Sequence, residues 1–177
     1  MGVSKKKYDD GIAQVIFRTI VSDTTTPVSV LMKLENHSNS FLLESVEGGV
    51  TKGRYSIIGL KPDLFWKSSG NIAYVKEDNA TVYKRDKFNT LESLQNILNI
   101  SKIDLPDTLP RMSAGIFGYI GYDNIRLIEK IPEINKDKST YPDSLLMRPS
   151  VIMVFDNLKD EISIVATIRN KINKDFD

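Results

Sequence analysis

The feature that most constrains the fold is a series of short apolar segments between residues 41 and 83, separated by turn residues. The segments cover 41–46, 54–60, 64–68, 72–76 and 80–83. Segments of this length, joined by turn residues at 69–71 and 77–79, are typical of strands in an antiparallel meander. Side chains in 72–76 alternate in character, which predicts one buried and one solvated face. The single tryptophan, Trp66, is predicted to be a partly buried packing residue.

Two helices are predicted from their start signals. Thr26 precedes Pro27, and a hydroxyl can cap free amides while proline suits the first helical position. Asn89 is followed three residues later by Glu92, as in a capping box. The stripe of the second helix that is predicted to face the core consists of Leu91, Leu94 and Leu98.

Further strands are predicted at both ends of the chain. Residues 10–21 carry alternating apolar side chains, and 151–155 and 162–166 form a hairpin around a polar turn. Together these elements predict an α+β fold, an antiparallel meander with a few packed helices, in one domain over residues 1–177.

Composition narrows the class of protein. A chain of 177 residues with 41% hydrophobic content can bury one substantial core. Its net charge of +1 gives no electrostatic field that would attract nucleic acid. It has no cysteine, which excludes disulfides and thiolate metal sites. No apolar run approaches the roughly 20 residues needed to cross a bilayer. These features predict a cytoplasmic protein that binds neither membrane nor nucleic acid.

Three glycines spaced by three residues, Gly115, Gly118 and Gly121, raise the question of a phosphate-binding loop. No Gly-Lys-Ser/Thr motif accompanies them. The better interpretation is a strand whose glycines permit close packing against another sheet or domain. Asp123 is predicted to cap a helix that ends before Pro132.

The candidate site lies where the first meander strand ends. Glu44 and Ser45 follow an apolar run, a glycine pair turns the chain, and Arg54 returns on the next strand. One interpretation is a structural ion pair between Glu44 and Arg54. The other is a site for a small zwitterion, with the carboxylate binding an ammonium and the guanidinium and hydroxyl binding a carboxylate. Spacing alone does not distinguish them.

An ordered set of motifs resembles the N-terminal domain of anthranilate synthase component I, a chorismate-utilising enzyme family. The set comprises Thr26-Pro27-Val28-Ser29, Phe41-Leu42-Leu43-Glu44-Ser45, Gly53-Arg54-Tyr55-Ser56, Ile58-Gly59 and the run from Gly115 to Asp123. In that family the Leu-Leu-Glu-Ser segment lines the allosteric pocket for tryptophan. The resemblance therefore implies that Glu44 and Ser45 contact this effector, with Arg54, or alternatively Lys52, as the basic contact.

The resemblance also implies that regulation and catalysis belong to different domains of the protein. The family converts chorismate and an amino donor to anthranilate and pyruvate in a Mg²⁺-dependent site, which belongs to a downstream chorismate-binding domain. The motifs of that domain do not occur here, so the chain is expected to be an inactive regulatory and scaffolding portion of a larger two-layer fold. It would hold no catalytic or metal-binding residue. Expected partners are tryptophan, the protein's own chorismate-binding domain and a glutamine amidotransferase component.

Three alternatives stay open at this point. The nearest is the N-terminal domain of aminodeoxychorismate synthase component I, a related enzyme. A second is a freestanding amino-acid sensor. The third is a structural interaction domain that presents the glycine-rich strand and the hairpin at 151–155 to a partner.

Overall fold

A computed structural model describes residues 4–34, 38–47, 51–77, 80–132 and 140–169. The α-helices in this part of the chain are α1 (Lys5–Asp9), α2 (Pro27–Lys33) and α3 (Thr90–Ser101). The strands are β1 (Gln14–Val21), β2 (Phe41–Glu47), β3 (Thr51–Ser69), β4 (Ile72–Glu77), β5 (Lys84–Arg85), β6 (Phe117–Ile120), β7 (Ser144–Asp156) and β8 (Glu161–Ile168). None of the described helices is long and apolar enough to span a membrane.

The strands pair antiparallel, which confirms the predicted α+β fold class. Their hydrogen-bonded order is β1-β8-β7-β3-β4-β5, with β2 also paired to β3 and β6 to β7. Two strand predictions were wrong. Segments 54–60 and 64–68 belong to one strand, β3, which continues through Lys61, at a positive φ of 48°, and Pro62. Residues 80–83 are not a strand, and β5 begins only at Lys84.

The described residues form two compact units. The first comprises those within 1–62, 102–115 and 149–174, and the second those within 63–101 and 116–148. The strands β3 and β7 contribute residues to both units. The core of the first unit contains Ile58, Leu60, Phe155 and Ile162, with apolar side chains of α2 packed against it. Thr26 and Ser29 form the capping box that begins α2, so the predicted helix start is confirmed.

The core of the second unit lies between the β3–β4 sheet and α3. It contains Leu64, Trp66, Ala73, Val75, Ile97 and Leu146. The predicted alternation in 72–76 is confirmed, because Ala73 and Val75 are the buried members. Trp66, predicted to be partly buried, is only 1% exposed. Its complete burial is possible because the indole Nε1 donates a hydrogen bond to Ser93 Oγ at 2.9 Å.

The helix α3 begins as predicted but buries a different face. Asn89 accepts a hydrogen bond from the amide of Glu92 at 3.0 Å, which confirms the cap. Of the predicted stripe, Leu94 packs against the core, but Leu91 and Leu98 are 42% and 45% exposed. The buried positions are Thr90, Ser93, Ile97 and Ser101. The three hydroxyl groups among them bond to Gly70 O, the Trp66 indole and the Arg148 guanidinium, and these bonds to other parts of the unit fix the helix face.

The glycine-rich strand packs closely, but against its neighbour in the same sheet. Gly118 lies opposite Leu146 with a φ of 150°, and a side chain there would overlap the carbonyl oxygen of Leu145. Gly118 therefore permits a close approach to β7, and packing of this strand against another sheet or domain stays a prediction. Asp123 does not cap the next helix. It lies inside the 3₁₀ helix Tyr122–Leu127, where it accepts a 2.9 Å hydrogen bond from Arg126.

Candidate functional site

A β-bulge shapes the end of the β2–β3 hairpin. Glu44 pairs with Ser56 and Val46 pairs with Lys52, so Ser45 alone lies opposite the three residues from Gly53 to Tyr55. Gly53 is buried, and a side chain at this position would overlap the Oγ and Cβ atoms of Ser45. Glycine is therefore required here because the Ser45 side chain approaches the backbone of the opposite strand.

The hairpin brings three of the four predicted site residues to one strand end. Glu44 and Ser45 are adjacent and exposed. The backbone of Lys52 lies opposite the residue that follows Ser45. A carboxylate, a hydroxyl and a lysine position thus lie within a few strand positions of one another, at a place open to solvent.

Arg54 has a different partner from the one that sequence alone suggested. Its Nη2 lies 2.9 Å from Asp156 Oδ2, and its Nε bonds to the same carboxylate at 3.2 Å. Its guanidinium carbon lies 4.8 Å from the centre of the Tyr55 ring. The proposed Glu44–Arg54 ion pair is therefore wrong, because Asp156 occupies the guanidinium.

The turn that follows β7 holds the bulge in place. The amide N of Asn157 donates to Arg54 O at 2.8 Å, and its side-chain Nδ2 donates to Gly53 O at 2.8 Å. The bulge carbonyls of Gly53 and Arg54 are thereby satisfied. Sequence reasoning missed Asp156 and Asn157, which it treated only as turn residues. Their position directly after an apolar strand, with one acceptor and one amide side chain, was the available signal.

A cleft of about 190 Å³ lies beside this ion pair within the first unit. Its lining residues are Arg54, Tyr55, Asp107, Thr108, Leu109, Pro110, Val154, Asp156, Lys159, Glu161 and Ser163. Arg54 therefore lines a cleft that includes neither Glu44 nor Ser45. Of the two candidate basic contacts, Arg54 is bonded to Asp156, and the backbone of Lys52 lies on the hairpin end.

The ion pair shifts the titration of both partners. The hydrogen bond from Arg54 lowers the pKa of Asp156, with a further contribution from the amide of Leu158, and outweighs the opposing effect of burial. The same hydrogen bond raises the pKa of Arg54. A carboxyl group whose pKa is depressed by folding stabilises the protein above its unfolded-state value, near 3.9, and loses that contribution as the pH falls through the folded-state pKa.

We therefore expect the substitution Asp156→Asn to reduce stability at neutral pH. The difference from the parent should shrink as the pH falls below about 4 and through the depressed folded-state pKa of the parent carboxyl. Urea unfolding followed by circular dichroism at several pH values between neutral and acidic measures this difference. Asp123→Asn is the matched control, since this carboxylate accepts a guanidinium bond at 62% side-chain exposure. A stability difference for Asp156→Asn that persists unchanged into acid would contradict the expectation.

No group of three or more His, Asp or Glu side chains that could hold a metal ion is found among the described residues. Glu44 lies on the hairpin end, and Asp156, which lines the cleft together with Asp107 and Glu161, is bound to Arg54. The described residues therefore supply no such group for the Mg²⁺ of the family, which the resemblance places in the downstream domain.

The fold defines the chain as an α+β domain built on an antiparallel sheet, of a kind found within a biosynthetic enzyme. It matches the solved structure of anthranilate synthase component I from Streptococcus pneumoniae TIGR4 with a TM-score of 0.53 and 25% identity, over 88% of this chain and 32% of that one. No family model matches the chain.

Sequence relatives agree with this structural match. The chain is 41% identical to anthranilate synthase component 1 of Cereibacter sphaeroides over 92% of its own length and 33% of the relative. It is 37% identical to the protein of the same name from Acetivibrio thermocellus, over 84% of the chain and 30% of that relative. The chain is thus a homologue of the N-terminal part of anthranilate synthase component I, and it spans about one third of the length of these relatives.

Proposed function

We propose that this chain is the regulatory and scaffolding portion of a cytoplasmic anthranilate synthase component I, and that it carries the tryptophan feedback site. The observation that carries the proposal is the match of nearly the whole chain to the N-terminal part of proteins with this name. Formation of anthranilate from chorismate, its Mg²⁺ and the contact with a glutamine amidotransferase are assigned to the longer protein. No step of that reaction is assigned to the residues described here.

The proposed effector site is the end of the β2–β3 hairpin. The Glu44 carboxylate would bind the ammonium group of tryptophan, while the Ser45 hydroxyl and a basic side chain bind its carboxylate. Lys52 is the preferred basic contact because the Arg54 guanidinium is bonded to Asp156. The packing of Ser45 on Gly53 and the two hydrogen bonds from Asn157 support a preformed site, since they fix the backbone on both strands.

Inhibition requires only that tryptophan bind two states of the longer protein with different affinity. If it favours one arrangement of this domain against the catalytic part, chorismate binding changes by the same factor. A coupling of about 1–3 kcal/mol corresponds to a change of roughly 5- to 150-fold. The effector site and the catalytic site would then be distinct, as allosteric regulation demands.

An exposed apolar surface in the second unit supports the scaffolding role. It surrounds β6 and includes Ile120, Tyr122, which is 90% exposed, Ile128 and Tyr141. A cleft of about 390 Å³ in this surface is lined by Tyr119, Tyr122 and Tyr141, among others. Exposed clusters of large apolar side chains mark protein interaction surfaces, and tyrosine is enriched in them. We assign this surface to contact with the protein's own chorismate-binding domain.

The proposal is tested in a chimera in which this chain replaces the matching third of the C. sphaeroides protein. We expect the chimera to form anthranilate, detected by its fluorescence, and to be inhibited by tryptophan. Ser45→Phe should abolish inhibition and leave uninhibited turnover unchanged, because a ring would occupy the space beside the effector. Ser69→Phe, at an exposed serine on the other end of β3, is the matched control and should remain inhibited.

Each result separates one part of the proposal from another. A folded chimera that forms no anthranilate contradicts the scaffolding role. An active chimera that tryptophan does not inhibit, or equal inhibition with and without Ser45→Phe, contradicts the feedback site. Formation of aminodeoxychorismate in place of anthranilate would mean that the chain belongs to aminodeoxychorismate synthase component I.

A further inference from the structure

The side of the β3–β4–β5 sheet opposite the core cluster carries an unusual set of side chains, of which Phe65 is buried, Arg85 is exposed and the others are half-buried. We call it the lysine–aromatic face, and it consists of Phe65, Lys67, Tyr74, Lys76, Tyr83 and Arg85. Strand register places Phe65 opposite Lys76, Lys67 opposite Tyr74, and Tyr74 opposite Arg85. The alternate residues of the same strands, such as Trp66 and Val75, form the core. The face is therefore defined by the pleat of the sheet and lies entirely within the second unit.

Lysine ammonium groups cover the aromatic rings of this face. Lys67 Nζ lies 4.3 Å from the centre of the Tyr83 ring and 5.6 Å from that of Tyr74. Lys76 Nζ lies 4.2 Å from the centre of the Phe65 ring and 5.5 Å from that of Tyr83. Both ammonium groups thus share the Tyr83 ring. These distances fall within the roughly 6 Å range of cation–π attraction.

The cations of the face have no carboxylate partner among the described residues. The ion pairs shown there involve Arg54, Arg126 and Arg148, and none includes Lys67, Lys76 or Arg85. Two nearby carboxylates are engaged elsewhere. Asp63 binds Arg148, and Asp86 accepts a hydrogen bond from Ser93 at 2.5 Å. The sheet therefore presents concentrated positive charge although the whole chain has a net charge of only +1.

We propose that the lysine–aromatic face docks a carboxylate-rich segment of a partner protein. Carboxylates would pair with ammonium groups that the rings already hold in position, so little side-chain ordering remains to be done on binding. Single-stranded nucleic acid fits less well, because bases bind by stacking on open aromatic faces. Here lysine ammonium groups already lie over the rings of Phe65, Tyr74 and Tyr83.

The probe for this proposal is a fluorescein-labelled octaglutamate peptide, whose binding to the chain is followed by fluorescence anisotropy. At about 0.01 M salt the Debye length is near 30 Å, so charge pairing is detected most readily. We expect saturable binding that weakens as salt is added. Lys67→Gln combined with Lys76→Gln should weaken it by about 2- to 30-fold, the range expected from losing two exposed ion pairs.

The matched control is Lys102→Gln combined with Lys130→Gln, two exposed lysines outside the face, which changes the net charge by the same amount. It should leave binding within about 2-fold of the parent. Lys67→Arg combined with Lys76→Arg keeps both charges and should retain binding, which separates charge loss from misfolding. Equal weakening in the face and control variants, absence of saturable binding, or tighter binding of labelled octauridylate would overturn the proposal.

Discussion

Replacing Asp63 by alanine is expected to lower the free energy of unfolding by about 3–5 kcal/mol, because it leaves the Arg148 charge unpaired in the protein interior. Arg148 Nε lies 2.6 Å from Asp63 Oδ1, and their side chains are only 10% and 22% exposed. The same guanidinium donates from Nη1 to Ser101 Oγ at 3.0 Å, so the cation is bound on two sides. Urea unfolding followed by far-ultraviolet circular dichroism measures the change.

Two variants control this expectation. Asp123→Ala removes one partner of an exposed ion pair with the same Arg Nε to Asp Oδ1 contact, at 2.9 Å, and should cost at most about 1 kcal/mol. Asp63→Leu combined with Arg148→Met removes both charges and should recover most of the stability lost in Asp63→Ala. If Asp63→Ala costs no more than Asp123→Ala, the charge is not effectively buried and the argument fails.

Local sequence signals predicted the helix starts because the atoms involved are close in the chain. The hydroxyl of Thr26 and the amide of Ser29 are three residues apart, as are Asn89 and the amide of Glu92. A cap of this kind needs no knowledge of the rest of the fold. The same holds for the hairpin at β7–β8, where two apolar strands flank a short polar turn.

The buried face of α3 could not be predicted in this way. Apolar periodicity favoured its leucines, yet the helix buries hydroxyl groups that bond to Gly70, Trp66 and Arg148. Buried hydroxyls are tolerated only where acceptors or donors meet them, and those partners come from distant parts of the sequence. The sequence pattern alone contains no sign of them.

The candidate site was also predictable only in part. Resemblance identified Glu44 and Ser45, and the structure places both on an exposed strand end, while their role stays a proposal. The partner of Arg54 lies 102 residues away, at Asp156, so spacing within the hairpin could not reveal it. The bulge likewise depends on Asn157, which bonds to Gly53 but is distant from it in the chain. The two residues meet only in the folded sheet.

Trp66 gives the second large expected effect, and a graded series of substitutions tests it. Trp66→Ala should cost about 3–5 kcal/mol, because a fully buried indole leaves a cavity that the core of the second unit cannot refill. Trp66→Phe keeps part of the volume and should cost less. Ser93→Ala leaves the buried Nε1 without its acceptor, at a cost of about 1–3 kcal/mol.

A chain of hydrogen bonds explains why substitutions at both Trp66 and Ser93 are expected to reduce stability. Trp66 donates to Ser93, and Ser93 donates to Asp86, so the indole joins α3 and the loop before it to the sheet. Tyr122→Ala, at a residue that is 90% exposed, is the control and should change stability by less than about 0.5 kcal/mol. Circular dichroism in urea ranks all four variants. A Trp66→Ala change as small as that of Tyr122→Ala would mean that the unit is not stabilised through this core.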